Sequence, residues 1–467
     1  MHLDMNSYFA SVEQQDNLAW RGKPVGVCEH LGGIIIAASV EAKKWGIKTG
    51  TPVWEARKLY PKIILTPTRP ERYRFFNRRM VKVVSDYTSA VEVYSIDEVF
   101  ADLTKACNIR KTVVCHSDRP SAAEGVEESL NHYPVDNQGV RDPSARRRMH
   151  SSSVGMTQLE SVDPFAEAVR IAKEIKRRFK TEVGDWLRCS VGLAENKLLA
   201  KIGSDMQKPD GLVIVAHKGN PCAAQGFPLW FTKEDLYHQL KLVDIPGIGR
   251  RQEKNLNALG IKTLKDLRDF PQSHLVSRFG NIMGHHLYNI GQLEGTWKAP
   301  VCQDQEIKSM GHMYTLPREF RKPEFFLPVL YKLCEMVGRR LRRKNLMGNI
   351  IHFYFYDKDY VGFGKSLKLG YFLRDGREIF LEAADVYEGL LRKSSEFKLI
   401  GITVAGLKPY VNQLSLFGDA DRQKRLTSAL DKINDKYGEF TILRAKMMSA
   451  GRVFRDSIGF GRVKELE

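Results

Sequence analysis

The sequence predicts a multidomain α+β protein, and three observations carry that prediction. A chain of 467 residues is too long to fold around one compact core, so three or more domains are expected. Strand-like and helical patterns alternate in two separate stretches, one before about residue 232 and one from about 308 to 410. Between them lies a helical segment punctuated by paired Gly-Ile turns, with no strand-like run of its own.

Taken in order, GKPVGVC and GGIIIAAS read as strands, VEAKKWG and PVWEARKLY as short helices, and Arg72 to Tyr87 as a long helix. YSIDEVF follows, with Asp97 and Glu98 side by side between apolar neighbours. Adjacent residues of a regular strand point to opposite faces, so both acids can look inward only if a tight turn breaks the alternation. The flanks VEVYSI and VFADLT suit such a hairpin. From about Lys105 to Asp163 the sequence turns polar, rich in Ser, Pro and Gly, and is expected to be a flexible insertion. Order resumes with a helix begun by Pro164, the strand WLRCSVGLA, the helix NKLLAKIGSDM, the turn KPDG and the strand LVIV. The order of these elements around a central hairpin suggests an antiparallel-rich sheet backed by helices.

LVDIPGIGRRQEKNLNALGIKTLKDLRDF is a helix–hairpin–helix pattern. Gly247 and Gly249 let backbone N–H groups approach a phosphate at a helix N-terminus without reading a base, which predicts DNA-backbone binding. Farther on, KSMGHMYTL, NIIHFYFYDKDY, KSLKLGYF and KLIGITVAG read as four strands with two helices. Leu367 and Leu369 face one way and Ser366 and Lys368 the other, leaving a small, basic face suited to a phosphate backbone. The run Arg339, Arg340, Arg342, Arg343 and Lys344 complements the dipole at the end of the first helix. In the tail, Leu426, Leu430, Ile433 and Tyr437 form one stripe, expected to be a packing surface.

Composition narrows the function. Lys and Arg exceed Asp and Glu by 73 to 55, giving +18 and a pI near 9.4, which favours a polyanionic partner through counterion release. No apolar run approaches the roughly 18 residues of a membrane span, and MHLDMNSYFA lacks the features of a signal peptide. Seven scattered cysteines without a CxxC speak for a reducing cytoplasm, and Cys115-His116 alone makes no zinc site.

A third acid, Asp4, lies on a strand that begins almost at the first residue. Asp4, Asp97 and Glu98 together can hold two divalent cations for in-line phosphoryl displacement, with Lys43 and Lys208 as candidate cations for a triphosphate.

HLDMNSYFASVE, YSIDEVF, SVGLAENKLLAKIGSDMQKPDG and PGIG, in this order, resemble the Y-family translesion DNA polymerases, the bacterial polymerase IV branch above all. The resemblance spans nearly the whole chain, the insertion and the last few dozen residues excepted. It implies a right-hand fold: palm at 1–18, 77–104 and 164–232, fingers at 19–76, a thumb at 233–296, a little finger at 307–410 and a tail at 411–467. It implies Asp4, Asp97 and Glu98 as ligands of two Mg²⁺ ions, assisted by the Met5 carbonyl. Phe9 matches the steric gate that excludes a ribose 2′-hydroxyl. Tyr8 and Phe9 match the residues whose backbone N–H groups meet the triphosphate, and Lys208 matches its lysine. QLSLF resembles the bacterial sliding-clamp pentapeptide, with Gln413, Leu414, Leu416 and Phe417 as its anchors. The implied partners of a cytoplasmic monomer are primer–template DNA, dNTPs and the clamp; the implied activity is low-fidelity synthesis that tolerates damaged templates.

Two departures stand out. Where many relatives carry Tyr and Arg against the triphosphate, SVEAKKWG has Val40 and Lys43, a version that resembles the polymerase V catalytic subunit and predicts weaker nucleotide binding. Relatives also carry several residues before HLDMN, which predicts a thinner strand under Asp4. These departures motivate an alternative, a catalytically weak or inactive DNA- and clamp-binding factor; the intact acidic triad opposes it. A two-metal nuclease would share the carboxylates but has no use for Phe9 or Lys208.

Overall fold

A computed structural model describes residues 1–29, 31, 33–109, 164–216, 229–294, 307–357, 359, 361–391, 396–411 and 418–450. Of the insertion expected at 105–163 only 105–109 are described, and these are helical rather than a flexible loop; the rest of it and the QLSLF pentapeptide lie outside the described residues. The described residues before Gln303 form one compact unit and those after Asp304 another.

The first unit opens with β1 (His2–Met5), α1 (Tyr8–Asp16), β2 (Val25–Cys28), β3 (Ile35–Ala38), α2 (Val40–Lys44), α3 (Val53–Leu59), β4 (Ile64–Thr66) and α4 (Pro70–Ser85). The acidic hairpin follows as β5 (Val91–Val93) and β6 (Glu98–Ala101), then α5 (Thr104–Ile109), α6 (Pro164–Arg178), β7 (Cys189–Ala194), α7 (Lys197–Met206), β8 (Leu212–Ala216) and β9 (Leu229–Thr232). Six of these strands form one sheet in the order β5-β6-β1-β7-β8-β9, antiparallel as far as β7 and parallel beyond it. The edge strand β9 has no counterpart in the sequence reading, since LWFT is too short to show a period.

Alternation along β1 places the site. Leu3 and Met5 enter the core with Val99, Val191, Leu193 and Ile214 and with residues of α1, α4 and α6. His2 and Asp4 therefore face the other way, toward α7. That helix lies close because Gly192 of β7 has no side chain; a Cβ there would sit 1.9 Å from the Ala200 carbonyl oxygen. The strands β2, β3 and β4 make a separate three-stranded sheet with its own small core around Ile35, Ile47 and Ala56.

The helical segment comprises α8 (Lys233–Gln239), α9 (Arg250–Asn257), α10 (Leu264–Asp269), α11 (Gln272–Phe279) and α12 (Asn281–Gly291). Gly247 has φ +100°, a left-handed conformation that favours glycine. Gly249 is the N-cap of α9 with no side-chain cap, so the first-turn N–H groups of that helix stay open.

The second unit contains β10 (Ser309–Thr315), α13 (Pro323–Arg343), β11 (Leu346–Asp357), β12 (Gly362–Leu373), α14 (Gly376–Leu391), β13 (Phe397–Ala405), β14 (Lys408–Pro409) and α15 (Gly418–Tyr437). Its sheet runs β10-β13-β11-β12, wholly antiparallel, with β14 pairing to β11. Ile351, Phe353, Phe355, Ile400, Ile402 and Val404 pack with residues of α13 and α14 in one core. The opposite face carries exposed Ser366 and Lys368, with the Ser366 hydroxyl 2.6 Å from His352 Nδ1.

Two expectations for this unit are corrected. The arginines ending α13 do more than complement its dipole: Arg339, only 3% exposed, pairs with Asp435 at 2.8 Å, and Arg342 with Asp431 at 2.6 Å. These acids lie on α15, so that helix docks through a polar seam of Thr427, Asp431, Asn434 and Asp435. Its apolar stripe is consequently split: Leu430 and Ile433 are half-buried, whereas Leu426 is 48% and Tyr437 64% exposed, so only the middle of the stripe packs. Buried guanidinium groups require carboxylate partners, and that requirement turned the helix.

Candidate active site

The hairpin answers the puzzle of two adjacent acids. Tyr94 N–H and Ser95 N–H both donate to the Glu98 carbonyl, closing a turn that ends in Asp97 before β6 begins. Glu98 then lies directly across the sheet from Asp4, on the same face, while Met5 N–H donates to the Asp97 carbonyl at 2.9 Å. Three carboxylates separated by up to 94 positions are thus gathered by one strand pairing.

Asp4, Met5, Asp97, Lys208, Lys43, Tyr8 and Phe9 line a single cavity of ≈ 480 Å³, together with Val40, Thr49 and Ile36–Ala38. Glu98 lies beside this cavity rather than in its wall. Gly247, Gly249, Ser366 and Lys368 are not part of it.

The electrostatics are those of an unbalanced acidic cluster. Burial, reinforced by Asp97 and Glu98 and opposed by Lys208, pushes the Asp4 carboxyl up to about 7. Burial also raises Asp97, against the Ser95 hydroxyl that donates to it at 2.6 Å. Lysines hold two of the three acids: Lys208 Nζ lies 3.0 Å from Asp4, and Lys201 Nζ 2.8 Å from Glu98. Among the described residues no group of three or more His, Cys, Asp or Glu side chains is arranged as it stands to hold a metal ion. The donor set nonetheless suits a hard divalent cation, since it is all oxygen and its negative charge is raised in energy by burial.

The cavity also has an anion-binding side. Helix α1 starts without a side-chain cap, and Tyr8 and Phe9 of its first turn line the cavity wall, so a helix N-terminus faces the cavity. Lys208 stays protonated above the usual lysine range: burial opposes this, but Asp4 and Asp205 outweigh it. Burial, aided by Lys208, shifts Lys43 the other way. Phe9 is 3% exposed and lies with its ring stacked on Tyr73, centroids 4.2 Å apart and planes 11° from parallel.

Several residues here escaped the sequence reading. Asn6 is buried and accepts from Asp210 N–H at 2.7 Å, tying the start of α1 to the KPDG turn that carries Lys208. His2, wholly buried and held well below its usual pKa by burial and then by Lys201, sits 2.7 Å from the Ser204 hydroxyl. Lys201 itself was legible only as a polar position on an amphipathic helix.

Comparison with known proteins agrees with this geometry. Residues 3–205 match the model of the impB/mucB/samB family, 307–416 its C-terminal domain, and 243–292 a DNA polymerase-iota thumb domain. The chain is 32% identical to DNA polymerase IV of Pelotomaculum thermopropionicum over 98% of its own length and 97% of that protein's. It is 32% identical to DNA polymerase IV of Moorella thermoacetica over 96% of each chain. It is 29% identical to DNA polymerase IV 1 of Bacillus subtilis over 94% of this chain and 90% of that one. Among solved structures, a Y-family polymerase chimera of Dbh and Dpo4 superposes with a TM-score of 0.63 at 23% identity, covering 86% of this chain and 97% of that one. An insertion ternary complex of Dbh polymerase gives 0.51 at 24% identity, over 88% of this chain and 99% of that one. The fold is the right hand of palm, fingers, helix–hairpin–helix thumb and little finger, and the chain belongs to the Y-family DNA polymerases of the polymerase IV kind.

Proposed function

We infer that this protein is a template-directed DNA polymerase of the translesion type, which adds dNTPs to a primer 3′-hydroxyl. The observation that carries the reading is the single cavity in which carboxylates, two lysines, an open helix N-terminus and an aromatic wall meet. A nuclease or a scaffold would need only part of that set. The relatives named DNA polymerase IV and the Dbh ternary complex support the same reading.

Asp4, Asp97 and the Met5 carbonyl would hold divalent cations, with Glu98 completing the set, and Mg²⁺ in two sites is the natural choice. Such cations, when bound, activate the primer hydroxyl and neutralise charge on the transferred phosphate and the pyrophosphate. The chain's own residues do the rest. The first-turn N–H groups of α1, with Lys208 and Lys43, seat the triphosphate. Phe9 closes the floor beneath the sugar against a 2′-hydroxyl. Gly247 and Gly249 of the thumb and Ser366 and Lys368 of the little finger bind duplex phosphates. Gln413, Leu414, Leu416 and Phe417 dock the chain, as a cytoplasmic monomer, on a sliding clamp. The boundaries given above for palm, fingers, thumb and little finger are the domain assignment that goes with this reading.

The test is extension of a primed template with dNTPs and a divalent cation. Wild type should extend the primer, and Asp97→Ala should lose extension by at least a thousandfold while keeping DNA affinity within about threefold. Equal extension by both proteins would sink the site assignment, and no extension by either would favour the DNA- and clamp-binding factor.

A further inference from the structure

We propose that Tyr73, Glu13 and Arg69 are positioning residues that hold the Phe9 ring rigid and thereby set how strictly ribonucleotides are refused. The inference rests on the polymerase reading and goes one layer behind its gate.

Phe9 and Glu13 lie four residues apart on α1, and Arg69, the N-cap of α4, precedes Tyr73 by the same spacing. Residues four apart share one face of a helix, so two such pairs facing each other form a square of contacts. The structure shows all the sides that matter. The Tyr73 ring stacks on Phe9, and its hydroxyl donates to Glu13 Oε1 at 2.7 Å, one turn farther along α1. Arg69 Nη2 lies 2.7 Å from Glu13 Oε2, and Arg69 Nε donates to the same carboxylate at 2.9 Å. Tyr73 is also fixed by its backbone, because the Tyr8 hydroxyl donates to its carbonyl at 2.6 Å.

Burial makes this frame stiff. Tyr73 is 0% and Glu13 1% exposed, so neither can relax toward solvent. A buried carboxylate is tolerated only with its partners in place, and Glu13 has both a bidentate guanidinium and a phenol. The ring of Phe9 thus looks into the nucleotide cavity on one side and is backed by an immobilised ring on the other.

A steric wall discriminates only as far as it refuses to move. A 2′-hydroxyl adds one oxygen atom, and a ring free to retreat by about an ångström would admit it, because packing energy is lost steeply only when the partner cannot yield. None of these three side chains lines the cavity, so their effect must pass through Phe9. That dependence separates a positioning role from a general loss of structure.

The experiment compares kcat/KM for a dNTP with that for the matching rNTP on an undamaged template. Tyr73→Leu, which removes the stack and the phenol, should lower the dNTP/rNTP ratio about tenfold, a change of ~1.4 kcal/mol. Tyr73→Phe keeps the stack and loses the hydroxyl, and Glu13→Gln weakens the hold of Arg69; each should lower the ratio two- to fourfold. In all three the dNTP kcat/KM should stay within about threefold of wild type. In a Phe9→Ala background, Tyr73→Leu should change the ratio no further, since there is no ring left to hold. Unchanged ratios in Tyr73→Phe and Glu13→Gln with dNTP extension intact would overturn the proposal, even if Tyr73→Leu fails to fold. So would full additivity of Tyr73→Leu with Phe9→Ala. Failure of wild type to extend with dNTPs would instead overturn the polymerase reading itself.

Discussion

Replacing Asp4 with Asn should make the metal-free protein more stable while abolishing its activity. The carboxyl titrates at about 7 instead of its ordinary 3.8, with burial the largest cause and the Asp97 and Glu98 charges adding to it. Each pKa unit is worth about 1.36 kcal/mol, so ionised Asp4 costs the folded state about 4 kcal/mol as a ceiling. Water penetration and side-chain relaxation reduce such penalties, and about 2 kcal/mol is a reasonable net value. For a unit of this size that corresponds to a rise of roughly 4 °C or more in unfolding temperature. The sign with pH follows from linkage. The folded state binds the Asp4 proton more tightly than the unfolded chain, so Asp4's contribution to stability falls as pH rises from about 4 to about 7 and is flat above, while buried His2 slopes the other way in wild type and variant alike. Asp4→Asn lacks that slope; its advantage should be small near pH 4.5 and full at pH 8. Thermal unfolding in EDTA at both pH values measures it. Adding a divalent cation at pH 8 should raise the wild-type transition and leave the variant's nearly unmoved. A lower transition for Asp4→Asn than for wild type in EDTA at pH 8 would refute the claim that burial and crowded charge strain this carboxylate.

Other consequences are simpler to state. Lys43→Arg would place a bidentate fork on the side of the cavity proposed to take the triphosphate and should lower the dNTP KM about three- to tenfold with kcat little changed; steady-state extension kinetics will show whether it does. Gly192→Ala places a Cβ 1.9 Å from the Ala200 carbonyl oxygen and must push α7 away. It should destabilise the first unit by about 2–3 kcal/mol, and because α7 carries Lys201, slow extension as well; a wild-type melting curve would count against this packing. Asp431→Ala strips Arg342 of its 2.6 Å partner and weakens the hold on Arg339. Arg342 keeps Glu335 at 2.8 Å and Arg339 keeps Asp435, so a cost of about 1.5–2 kcal/mol is expected for the lost charge-assisted hydrogen bonds, seen as faster proteolytic cleavage within α15; unchanged cleavage would mean that other contacts hold the helix.

How far the sequence discloses such a protein depends on how local the governing physics is. The palm strands were legible as short apolar, β-branched runs bounded by turns, and the acidic hairpin because two adjacent acids can share a face only at a turn. Asp4 became meaningful only beside those acids, and the register that places it opposite Glu98 is a pairing between segments 94 positions apart. Lys201 on Glu98 and Tyr73 on Phe9 are likewise contacts between helices and strands distant in the chain, with no periodic signature of their own. The C-terminal helix is the instructive failure. Its Leu426–Tyr437 stripe is covered only in the middle, at Leu430 and Ile433, because α13 presents arginines at 3% and 9% side-chain exposure, and these select the acidic face. Apolar area yields ~25 cal/mol per Å² whichever surface covers it, whereas an unpaired buried guanidinium costs several kcal/mol. Where the two demands compete on one short helix, the charge decides the orientation. The same inequality operates at the site: Glu13 is buried because Arg69 and Tyr73 satisfy it, and that polar frame, rather than any apolar pattern, backs the Phe9 ring at the cavity wall.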